Sequence, residues 1–529
     1  MALPWLDPLP DADGLRATDA WAIERLGIAG FALMETAGAR LADAVTALVP
    51  EGPVAIVCGA GNNGGDGYVA ARRLRAAGRP LRVLSTVPDE RLRGDAALAR
   101  DGFGGAAEPW DPAALEGAAV IVDAILGTGA TGAPRGLAAD AIAAIARAAG
   151  EGVPVIACDV PSGVDATTGE VAGAAVPATE TVSFHAATSG LWIAPGKGRV
   201  GRLRVVDIGI PAAVSRALPA PAAGLLTERV LDGLPVRGAE GTKFRSGHVL
   251  VVGGAPGMTG APCLTARGAM RAGAGYVTLA AAAGIEPLVA SRAPLESLTL
   301  PLPEAPDGGA GAAAAAVVLE RLGGRGGTLV VGPGLGRHDE RGRLVRELAA
   351  GAEGPLVVDA DGLAALAGDP EALAGRSAAT VLTPHAGELG RLLDRSSDEI
   401  GAQRLAAVRE AARRSGAVVV LKGDDTLIAD PAGRVAISPG GAPGLATAGT
   451  GDVLAGVVGA LLARGNDPLR AAAAAVWLHL LAGRRSAERH GADGTVAGDV
   501  AEAVAAVRRD HERGAAASRL DRAAARGGV

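Results

Sequence analysis

The sequence is poor in cysteine, lysine, asparagine and aromatic residues. Its 529 residues include three cysteines, far apart in apolar segments, which excludes a disulfide framework and is typical of buried thiols in a reducing compartment. The chain begins without a basic and apolar leader, and its most apolar region, residues 453–483, is interrupted by Arg464-Gly-Asn-Asp-Pro468. Neither a signal peptide nor a membrane span is therefore expected. A net charge of −6 argues against bulk attraction to nucleic acid or to an anionic membrane, and a soluble, cytoplasmic protein is predicted.

The scarcity of lysine and asparagine makes the few that remain informative. Of 51 lysine and arginine residues only three are lysine, and two of the three asparagines, Asn62 and Asn63, are adjacent. In a sequence so strongly biased to arginine, alanine and glycine, a lysine or asparagine that remains is expected to have a role that those residues cannot fill. Glycine, with 80 residues, is so common that a bare glycine motif is weak evidence.

Length and pattern predict two domains of the α/β class. Continuous apolar segments such as Val-Ala-Ile-Val-Cys at 54–58 alternate with helical segments, both before and after a segment rich in alanine and proline. Such alternation predicts, in each domain, a mostly parallel sheet covered by helices on both faces. The expected boundaries are a first domain at 1–215, a linker at 216–235, a second domain at 236–509 and a flexible tail at 510–529.

Polar residues follow several strands of the first domain. Functional side chains of a parallel sheet collect beyond the carboxyl ends of its strands. Asn63, Asp123 and Ser162 offer amide, carboxylate and hydroxyl oxygens that could hold a hard cation. The glycines of the loop 59–67 would let the backbone approach a pyrophosphate, although a tight left-handed turn is the alternative. Asp159 is predicted to act as a general acid or base, with a helix cap as the alternative.

A second candidate site surrounds Thr-Ala-Gly-Thr-Gly-Asp at 447–452, which runs into an apolar helix. Unpaired N–H groups and the partial positive charge of a helix start make an anion site, and the same field favours the ionised, proton-accepting form of Asp452. An anion site beside a base suits phosphoryl transfer to a hydroxyl. A glycine-rich loop before a core helix is the alternative.

Other strand-end residues of the second domain fit the same chemistry. Lys422 offers a compact charge for a phosphate. His385 could donate to an anionic or amide oxygen, or cap a helix. Asp359 and Asp361 could orient a hydrated magnesium ion between phosphates, and helix capping explains them nearly as well.

Four motifs in order resemble the NAD(P)H-hydrate epimerase domain. They are Gly-Ala-Gly-Asn-Asn-Gly-Gly-Asp-Gly at 59–67, Val-Asp-Ala-Ile-Leu-Gly-Thr-Gly at 122–129 with Pro-Arg-Gly at 134–136, Asp-Val-Pro-Ser-Gly-Val-Asp at 159–165, and Val-Asp-Ile-Gly-Ile-Pro at 206–211. The resemblance implies a Rossmann-like domain that interconverts the R and S epimers of NADH and NADPH hydrated on the reduced ring. It also implies a potassium ion held by Asn63, Asp123 and Ser162. The implied substrate contacts are Asn62, Asn63, Gly64, Gly65, Asp66, Gly127, Thr128, Gly129, Ala130, Thr131, Gly132, Ala133 and Asp159.

One residue departs from that family pattern. Thr188 stands where the family usually has a lysine, so epimerase activity would need another group, for which His185 is the candidate.

The second half resembles the ADP-dependent NAD(P)H-hydrate dehydratase, a ribokinase-like domain. The motifs that carry this resemblance include Gly-Pro-Gly-Leu-Gly at 332–336, Leu-Thr-Pro-His-Ala-Gly-Glu at 382–388, Lys-Gly-Asp-Asp-Thr at 422–426 and Gly-Thr-Gly-Asp at 449–452. The resemblance implies hydrate contacts at Ala261, Gly336, His385 and Asp452, and adenine-nucleotide contacts at Lys422, Gly423, Asp424, Asp425, Thr426 and Gly451. ADP and magnesium are the implied cofactors, and a homo-oligomer is expected.

Together the two resemblances predict a bifunctional repair enzyme. Asp452 would take the proton of the ring hydroxyl as that oxygen attacks the terminal phosphoryl group, and loss of phosphate would restore the reduced ring. The alternative is a kinase of a small vitamin-precursor alcohol, with the N-terminal domain as a non-catalytic binding module.

Overall fold

The chain forms two compact units. The computed structural model describes residues 3–238 and 240–527, and the side chains of all of these except 215, 216 and 515–527. The first unit is Pro8–Gly224, and the second joins Leu3–Asp7 to the chain from Leu225 onward. Leu3–Asp7 was expected in the first domain, but Trp5 is buried in the core of the second unit beside Leu226 and Val230.

The first unit is a seven-stranded sheet in which neighbouring strands are parallel. Strand β1 (Leu6–Leu9) belongs to the other sheet. The strands of this sheet are β2 (Val54–Cys58), β3 (Leu81–Ser85), β4 (Glu108–Pro109), β5 (Val120–Ala124), β6 (Val155–Cys158), β7 (Glu180–Phe184) and β8 (Arg202–Val206). Their order across the sheet is β4-β3-β2-β5-β6-β7-β8. The order reverses between β2 and β5, and a crevice for ligands is expected at the carboxyl ends of those strands.

Helices cover both faces of this sheet. They are α1 (Ala12–Leu26), α2 (Gly30–Leu48), α3 (Asn62–Ala76), α4 (Gly94–Phe103), α5 (Gly136–Gly150) and α6 (Val214–Ala217). Alternate residues of β2 enter different cores: Ile56 packs in a cluster with Leu41 and Tyr68, whereas Val57 packs in a cluster with Ile142. The prediction of an α/β domain with helices on both faces is confirmed.

The second unit contains an eleven-stranded sheet that also includes β1. The other strands are β9 (Ala223–Leu226), β10 (His248–Val252), β11 (Tyr276–Ala282), β12 (Leu298–Leu302), β13 (Thr328–Val331), β14 (Leu356–Val358), β15 (Thr380–Leu382), β16 (Val418–Leu421), β17 (Leu427–Ala429) and β18 (Val435–Ile437). Their order is β1-β9-β18-β17-β16-β15-β14-β13-β10-β11-β12. The strands from β10 to β16 pair in parallel, and β16, β17 and β18 form antiparallel pairs.

The helices of the second unit follow the same layered plan. They are α7 (Gly260–Arg271), α8 (Glu286–Arg292), α9 (Ala314–Arg325), α10 (Asp339–Gly351), α11 (Asp361–Ala364), α12 (Ala386–Leu393), α13 (Ser397–Ala402), α14 (Arg404–Ser415), α15 (Thr450–Ala463), α16 (Pro468–His490) and α17 (Ala497–Gly527). Among the described residues, none of these helices is long and apolar enough to cross a membrane.

Two expected boundaries differ from the structure. The segment 216–235, predicted as a linker, contains β9 and a short 3-10 helix, Glu228–Leu231. The segment predicted as a flexible tail continues α17 as far as Gly527, and residues 528 and 529 lie outside the described residues.

Glycines let α7 and α15 approach closely. A β-carbon on Gly456 of α15 would collide with the carbonyl oxygen of Thr265, and one on Gly268 of α7 would lie 2.5 Å from the carbonyl oxygen of Val453. Glycine is therefore required at both positions, and the close packing fixes the start of α15, where Asp452 lies.

Candidate active sites

The Asn62-Asn63 pair of the first unit lies at the start of a helix. Strand β2 is followed by a short turn, and α3 begins at Asn62, with Gly61 as its N-cap. Both asparagines therefore have helical backbone, so the alternative of a left-handed turn is wrong. Gly64 is required here because a β-carbon would collide with the carbonyl oxygen of Gly59. The first turn of α3 directs its unpaired N–H groups toward the carboxyl edge of the sheet, as an anion site requires.

A cavity of about 550 Å³ lies at this edge of the first unit. Of the predicted substrate contacts, those that line it are Asn62, Asn63, Asp66, Gly127, Thr128, Gly129, Ala130 and Asp159. The contacts predicted at Thr131, Gly132 and Ala133 instead line a second cavity of about 470 Å³, which shares Leu126 and Ala130 with the first. Gly64 and Gly65 are buried in α3, and a β-carbon on Gly65 would lie 2.6 Å from the Met34 sulfur.

Asp159 follows β6 in a strained backbone conformation. Its φ of 64° is left-handed, which is uncommon for a residue with a β-carbon and is concentrated at functional sites. Within the described part of the chain its carboxylate accepts two hydrogen bonds, both long, from the Ser183 hydroxyl at 3.4 Å and the Phe184 N–H at 3.5 Å. Burial raises the pKa of Asp159 to about 6. Asp159 caps none of the described helices, so the capping alternative is wrong, and a carboxyl with a pKa near neutrality can donate or accept a proton.

The three oxygen donors predicted for a cation occupy one small region. Asp123 is fully buried in β5, and its carboxylate accepts hydrogen bonds from the Ser162 N–H at 2.8 Å and the Ser162 hydroxyl at 2.6 Å. Asn63 is also buried, and neither polar atom of its side chain has a hydrogen-bond partner among the described residues. Gly127 packs against Asn63, and a β-carbon on it would lie 3.3 Å from Asn63 Oδ1. An unpartnered buried amide beside a buried carboxylate fits a bound cation, because both groups are costly to bury alone.

Thr188, which stands where the family usually has a lysine, lies inside the first unit. Thr188 is completely buried, and its hydroxyl has no hydrogen-bond partner among the described residues. His185, in contrast, lines the cavity, has a left-handed φ of 64°, and has its pKa lowered by burial. The residue suggested as a substitute for the missing lysine thus lies on the cavity wall, and its role stays a prediction.

In the second unit, three neighbouring strands bring a lysine to two acids. Asp359 follows β14, Thr383 follows β15 and Lys422 follows β16. Lys422 Nζ lies 3.1 Å from Asp359 Oδ1 and 3.7 Å from Glu388 Oε2, and the Thr383 hydroxyl donates to Asp359 at 2.7 Å. Burial lowers the pKa of Lys422, but the charges of Asp359 and Glu388 outweigh burial and raise it above its usual value. The lysine is therefore charged and held in place for an anion.

Lys422 also lies at the start of α15. A β-carbon on Gly451 would be 3.5 Å from Lys422 Nζ, so the lysine ammonium and the first turn of the helix face the same space. Gly449, the N-cap of α15, has a left-handed φ of 89°. The combination of a fixed ammonium and free helix N–H groups is a strong site for phosphate.

Asp452 lies in the first turn of α15, as predicted, but its charge state differs from the expectation. Burial raises the pKa of Asp452 to about 7, the charge of Asp359 adds to this shift, and Lys422 opposes it. A base with a pKa near the operating pH is efficient in proton transfer, so the shift favours the predicted role.

Two other predicted site residues, His385 and Asp361, already have hydrogen-bond partners within the protein. His385 caps α12: its Nδ1 accepts from the Gly387 N–H at 3.0 Å, while its Nε2 lies 3.4 Å from Glu388 Oε1. Asp361 is also engaged, because it accepts from the Gly336 N–H at 3.0 Å and from Arg337 at 3.1 Å. The capping alternative therefore holds for His385, although its solvent-exposed ring edge can still meet a ligand. It is wrong for Asp361, because the N-cap of α11 is Ala360 and the Asp361 carboxylate instead bonds residues of another loop.

In the segment 422–426 most side chains bond other parts of the protein and hold the segment in place. Asp425 is buried in an ion pair with Arg404 at 2.9 Å, and Asp424 accepts from the Gly441 N–H at 2.7 Å. The Thr426 hydroxyl donates to the Gly423 carbonyl at 2.7 Å. A nucleotide contact in this segment would thus come from Lys422 and from the backbone. Asp425 is not available for one.

Ala261 and Gly336 lie close together at the reversal of strand order between β13 and β10. Gly254 donates its N–H to the Pro333 carbonyl at 3.0 Å, which holds the loops after these two strands together. A β-carbon on Gly334 would lie 3.0 Å from Cβ of Ala261, and one on Gly336 would lie 3.5 Å from Cε of Met258. Small residues here leave room for a ligand at the carboxyl edge.

Glu388 is a site residue that the sequence reasoning missed. It is buried, faces Lys422, and accepts a hydrogen bond from the His385 N–H at 2.9 Å. The signal for it was present, because a glutamate three residues after an N-cap is the pattern of a capping box.

Lys422→Gln is expected to raise the KM for the nucleotide about tenfold or more, since a charge-assisted contact to phosphate is worth roughly 1.5–3 kcal/mol. Lys422→Arg should recover only part of this affinity because its planar group does not fit the space of an ammonium. Initial rates at varied nucleotide concentration measure both effects, and Arg413→Gln, an exposed change on α14, is the control. An unchanged KM in Lys422→Gln would contradict the assignment.

Known protein families match both units of the chain. A family model described as "NAD(P)H-hydrate dehydratase" matches residues 249–505, and one described as "YjeF-related protein N-terminus" matches residues 30–190. The "Bifunctional NAD(P)H-hydrate repair enzyme Nnr" of Moorella thermoacetica is 40% identical over 500 residues, covering 92% of this chain and 93% of its own. The protein of the same name from Salinibacter ruber is 41% identical, with 92% of each chain covered.

The chain belongs to the family of bifunctional NAD(P)H-hydrate repair enzymes.

Membership of this family confirms the predicted pair of activities, an epimerase in the first unit and a dehydratase in the second, and it does not support the alternative of a vitamin-precursor kinase. A solved structure, the ADP/ATP-dependent NAD(P)H-hydrate dehydratase from Bacillus subtilis co-crystallised with ATP and Mg²⁺, is 29% identical, with a TM-score of 0.45, and covers 54% of this chain and 96% of its own. The roles of individual residues stay predictions.

Proposed function

We propose that Asp452 is the general base of the dehydratase site. The observation that carries this assignment is the convergence of Asp452, Lys422 and the unpaired N–H groups of α15 on one space. The terminal phosphoryl group of the nucleotide lies at the helix start and is held by Lys422. Asp452 accepts the proton of the ring hydroxyl as the hydroxyl oxygen attacks phosphorus. Phosphate then leaves with the oxygen, and the reduced nicotinamide is restored.

The first unit supplies the epimer that the second unit consumes. Its cavity has Asp159 on one wall and the first turn of α3 on another, so a hydrated ring can meet the carboxyl while its diphosphate meets the helix N–H groups. Spontaneous hydration gives both epimers, and a stereospecific dehydratase clears only the S form. Epimerisation of the R form therefore makes repair complete.

The oxygen donors of the first unit fit a potassium ion. Asn63, Asp123 and Ser162 would hold it, and a bound cation would orient the loop after β5 against the substrate. The donors are an amide, a carboxylate and a hydroxyl oxygen, so they suit a hard cation better than a soft transition metal.

Replacement of potassium by the larger tetramethylammonium ion is expected to slow epimerisation and to leave dehydration of the S hydrate unchanged. The amide oxygen of Asn63 is buried and has no hydrogen-bond partner among the described residues, so loss of the ion would leave it unpaired. Rates for the separate R and S hydrates in the two salts measure this effect. Equal rates in both salts would count against a potassium site.

The remaining proposals concern the nucleotide, its metal ion, the cellular compartment and the oligomeric state. We infer that ADP or ATP is used with magnesium, and that Asp359 and Asp361 orient the hydrated ion. Asp359 pairs with Lys422, and the charges of both carboxylates raise the pKa of Asp452, which places them near the phosphate site. The three free cysteines are buried, in keeping with a reducing cytoplasm. A homo-oligomer stays a prediction.

Recovery of absorbance near the reduced-nicotinamide band tests the proposed function. The full chain is mixed with both hydrate epimers, magnesium and either ADP or ATP. Complete recovery with a stoichiometric release of phosphate is expected, whereas a stable phosphorylated hydrate would indicate a kinase, and recovery that stops when the S form is exhausted would indicate an inactive first unit.

A further inference from the structure

Asp19 lines the cavity of the first unit together with Asp159, although it belongs to none of the motifs that follow the strands. It lies on helix α1, whereas Asp159 follows strand β6. The two carboxyl groups therefore reach one cavity from separate elements. Asn63, a buried amide without a hydrogen-bond partner among the described residues, lines the same space, so this cavity is built for a polar ligand.

The carboxyl group of Asp19 has no hydrogen bond or ion pair with any residue that the structure describes. It is open to the water of the cavity, while surrounding protein raises its pKa to about 6. Its charge also raises the pKa of Asp159 and of Asp66, which places the three groups within electrostatic reach of one another. A carboxyl group that has no structural partner and lies near other acids lowers the stability of the folded protein. Groups of this kind are concentrated at functional sites.

Asp66 is a poorer candidate for proton transfer. It is buried, its carboxylate lies 3.9 Å from the Cys158 sulfur, and burial followed by the charges of Asp159 and Asp19 raises its pKa well above the usual value. A carboxyl that stays protonated can donate a hydrogen bond, but it does not release and regain a proton during turnover. Asp19 differs because it is open to the cavity and can exchange its proton with solvent.

We propose that Asp19 is the second catalytic carboxyl of the epimerase site and works with Asp159 on opposite faces of the hydrated ring. This inference rests on the proposed function of the first unit. Water adds to the reduced ring at the carbon next to the ring nitrogen, so the hydroxyl can leave with help from the nitrogen lone pair. Two acid–base groups, one on each face, are what inversion at that carbon requires.

The step balances with water as the only co-reactant. One carboxyl, as the acid, gives its proton to the hydroxyl oxygen, the C–O bond breaks, and water leaves as a C=N bond forms. A water molecule on the other face then forms the new C–O bond, the C=N electrons return to nitrogen, and the second carboxylate takes the proton that this water loses. The roles exchange in the reverse direction, and solvent restores the starting protonation.

Asp19→Asn tests the inference in the full chain. Epimerisation of the R hydrate, followed through its nucleotide-dependent recovery, is expected to lose about 10²-fold or more in kcat with little change in KM. Dehydration of the S hydrate, performed by the other unit, should not change. Asp19→Glu, which keeps the carboxyl, should recover part of the rate, and Asp43→Asn, an exposed change on α2, should have no effect.

Each result has one meaning. A rise in KM alone, or equal loss in Asp19→Asn and Asp19→Glu with a lowered unfolding midpoint, would overturn the catalytic role and leave a binding or structural one. A wild-type rate in Asp19→Asn would also overturn it, provided that Asp159→Asn is slow. If Asp159→Asn is as fast as the wild type, the proposed function of the first unit fails instead.

Discussion

Asp452→Asn is expected to lower kcat for dehydration of the S hydrate by about 10²- to 10⁴-fold, the range found when a general base is removed. Asparagine keeps the size of the side chain and the start of α15 but cannot accept the proton. The KM for the nucleotide should change little, because Lys422 and the helix N–H groups remain. Absorbance of the reduced nicotinamide, followed with purified S hydrate, measures the loss.

Two controls make that result specific. Asp493→Asn changes an exposed aspartate of the same unit and should keep the wild-type rate. Thermal unfolding of Asp452→Asn should show no loss of stability, since the carboxyl that is removed has a pKa raised by burial and by the charge of Asp359. Turnover within threefold of the wild type would sink the assignment of Asp452 as the base.

Asp159→Asn is expected to have the second largest effect, and on the other epimer. Clearance of the R hydrate should slow by about 10²-fold or more, while dehydration of the S hydrate stays at the wild-type rate. The reason is that Asp159 lines the cavity of the first unit, and the dehydratase residues all belong to the second. Clearance of the separate epimers under conditions where spontaneous epimerisation is negligible is the measurement.

The matched control for Asp159 lies in the same unit. Asp140→Asn changes an exposed side chain on α5 and should leave both rates unchanged. If Asp159→Asn clears R and S hydrates equally fast, the carboxyl has no part in epimerisation. If both rates fall together, the substitution has disturbed the whole chain, and the strained backbone at this position is the place to look.

The sequence predicted the strand-end residues well because their positions follow from topology. Buried parallel strands are continuous apolar segments, and any polar residue directly after one lies at the carboxyl edge. Asp159 and Lys422 directly follow β6 and β16, and Asp123 is the last residue but one of β5. The family motifs strengthened the reasoning, but the positions alone already indicated two sites.

What the sequence could not show depends on contacts across the fold. The ion pair of Asp425 with Arg404 joins a loop to a helix, and no local pattern indicates it. The pKa of Asp452 follows from burial and from Asp359, which is 93 positions away in the chain, so reasoning from the helix start alone gave the wrong direction. Asp19 was invisible for the same reason, since α1 reaches the cavity only in the folded unit.

The burial of Trp5 in the second unit constrains the order in which the protein can fold. Leu3–Asp7 are synthesised before the first unit, yet Leu226 and Val230, which pack in the same core, are synthesised after it, more than 200 residues later. Domains usually fold as they emerge, so the first unit can form while the segment before it waits without its partners. The core of the second unit is complete only when the segments on both sides of the first unit are present.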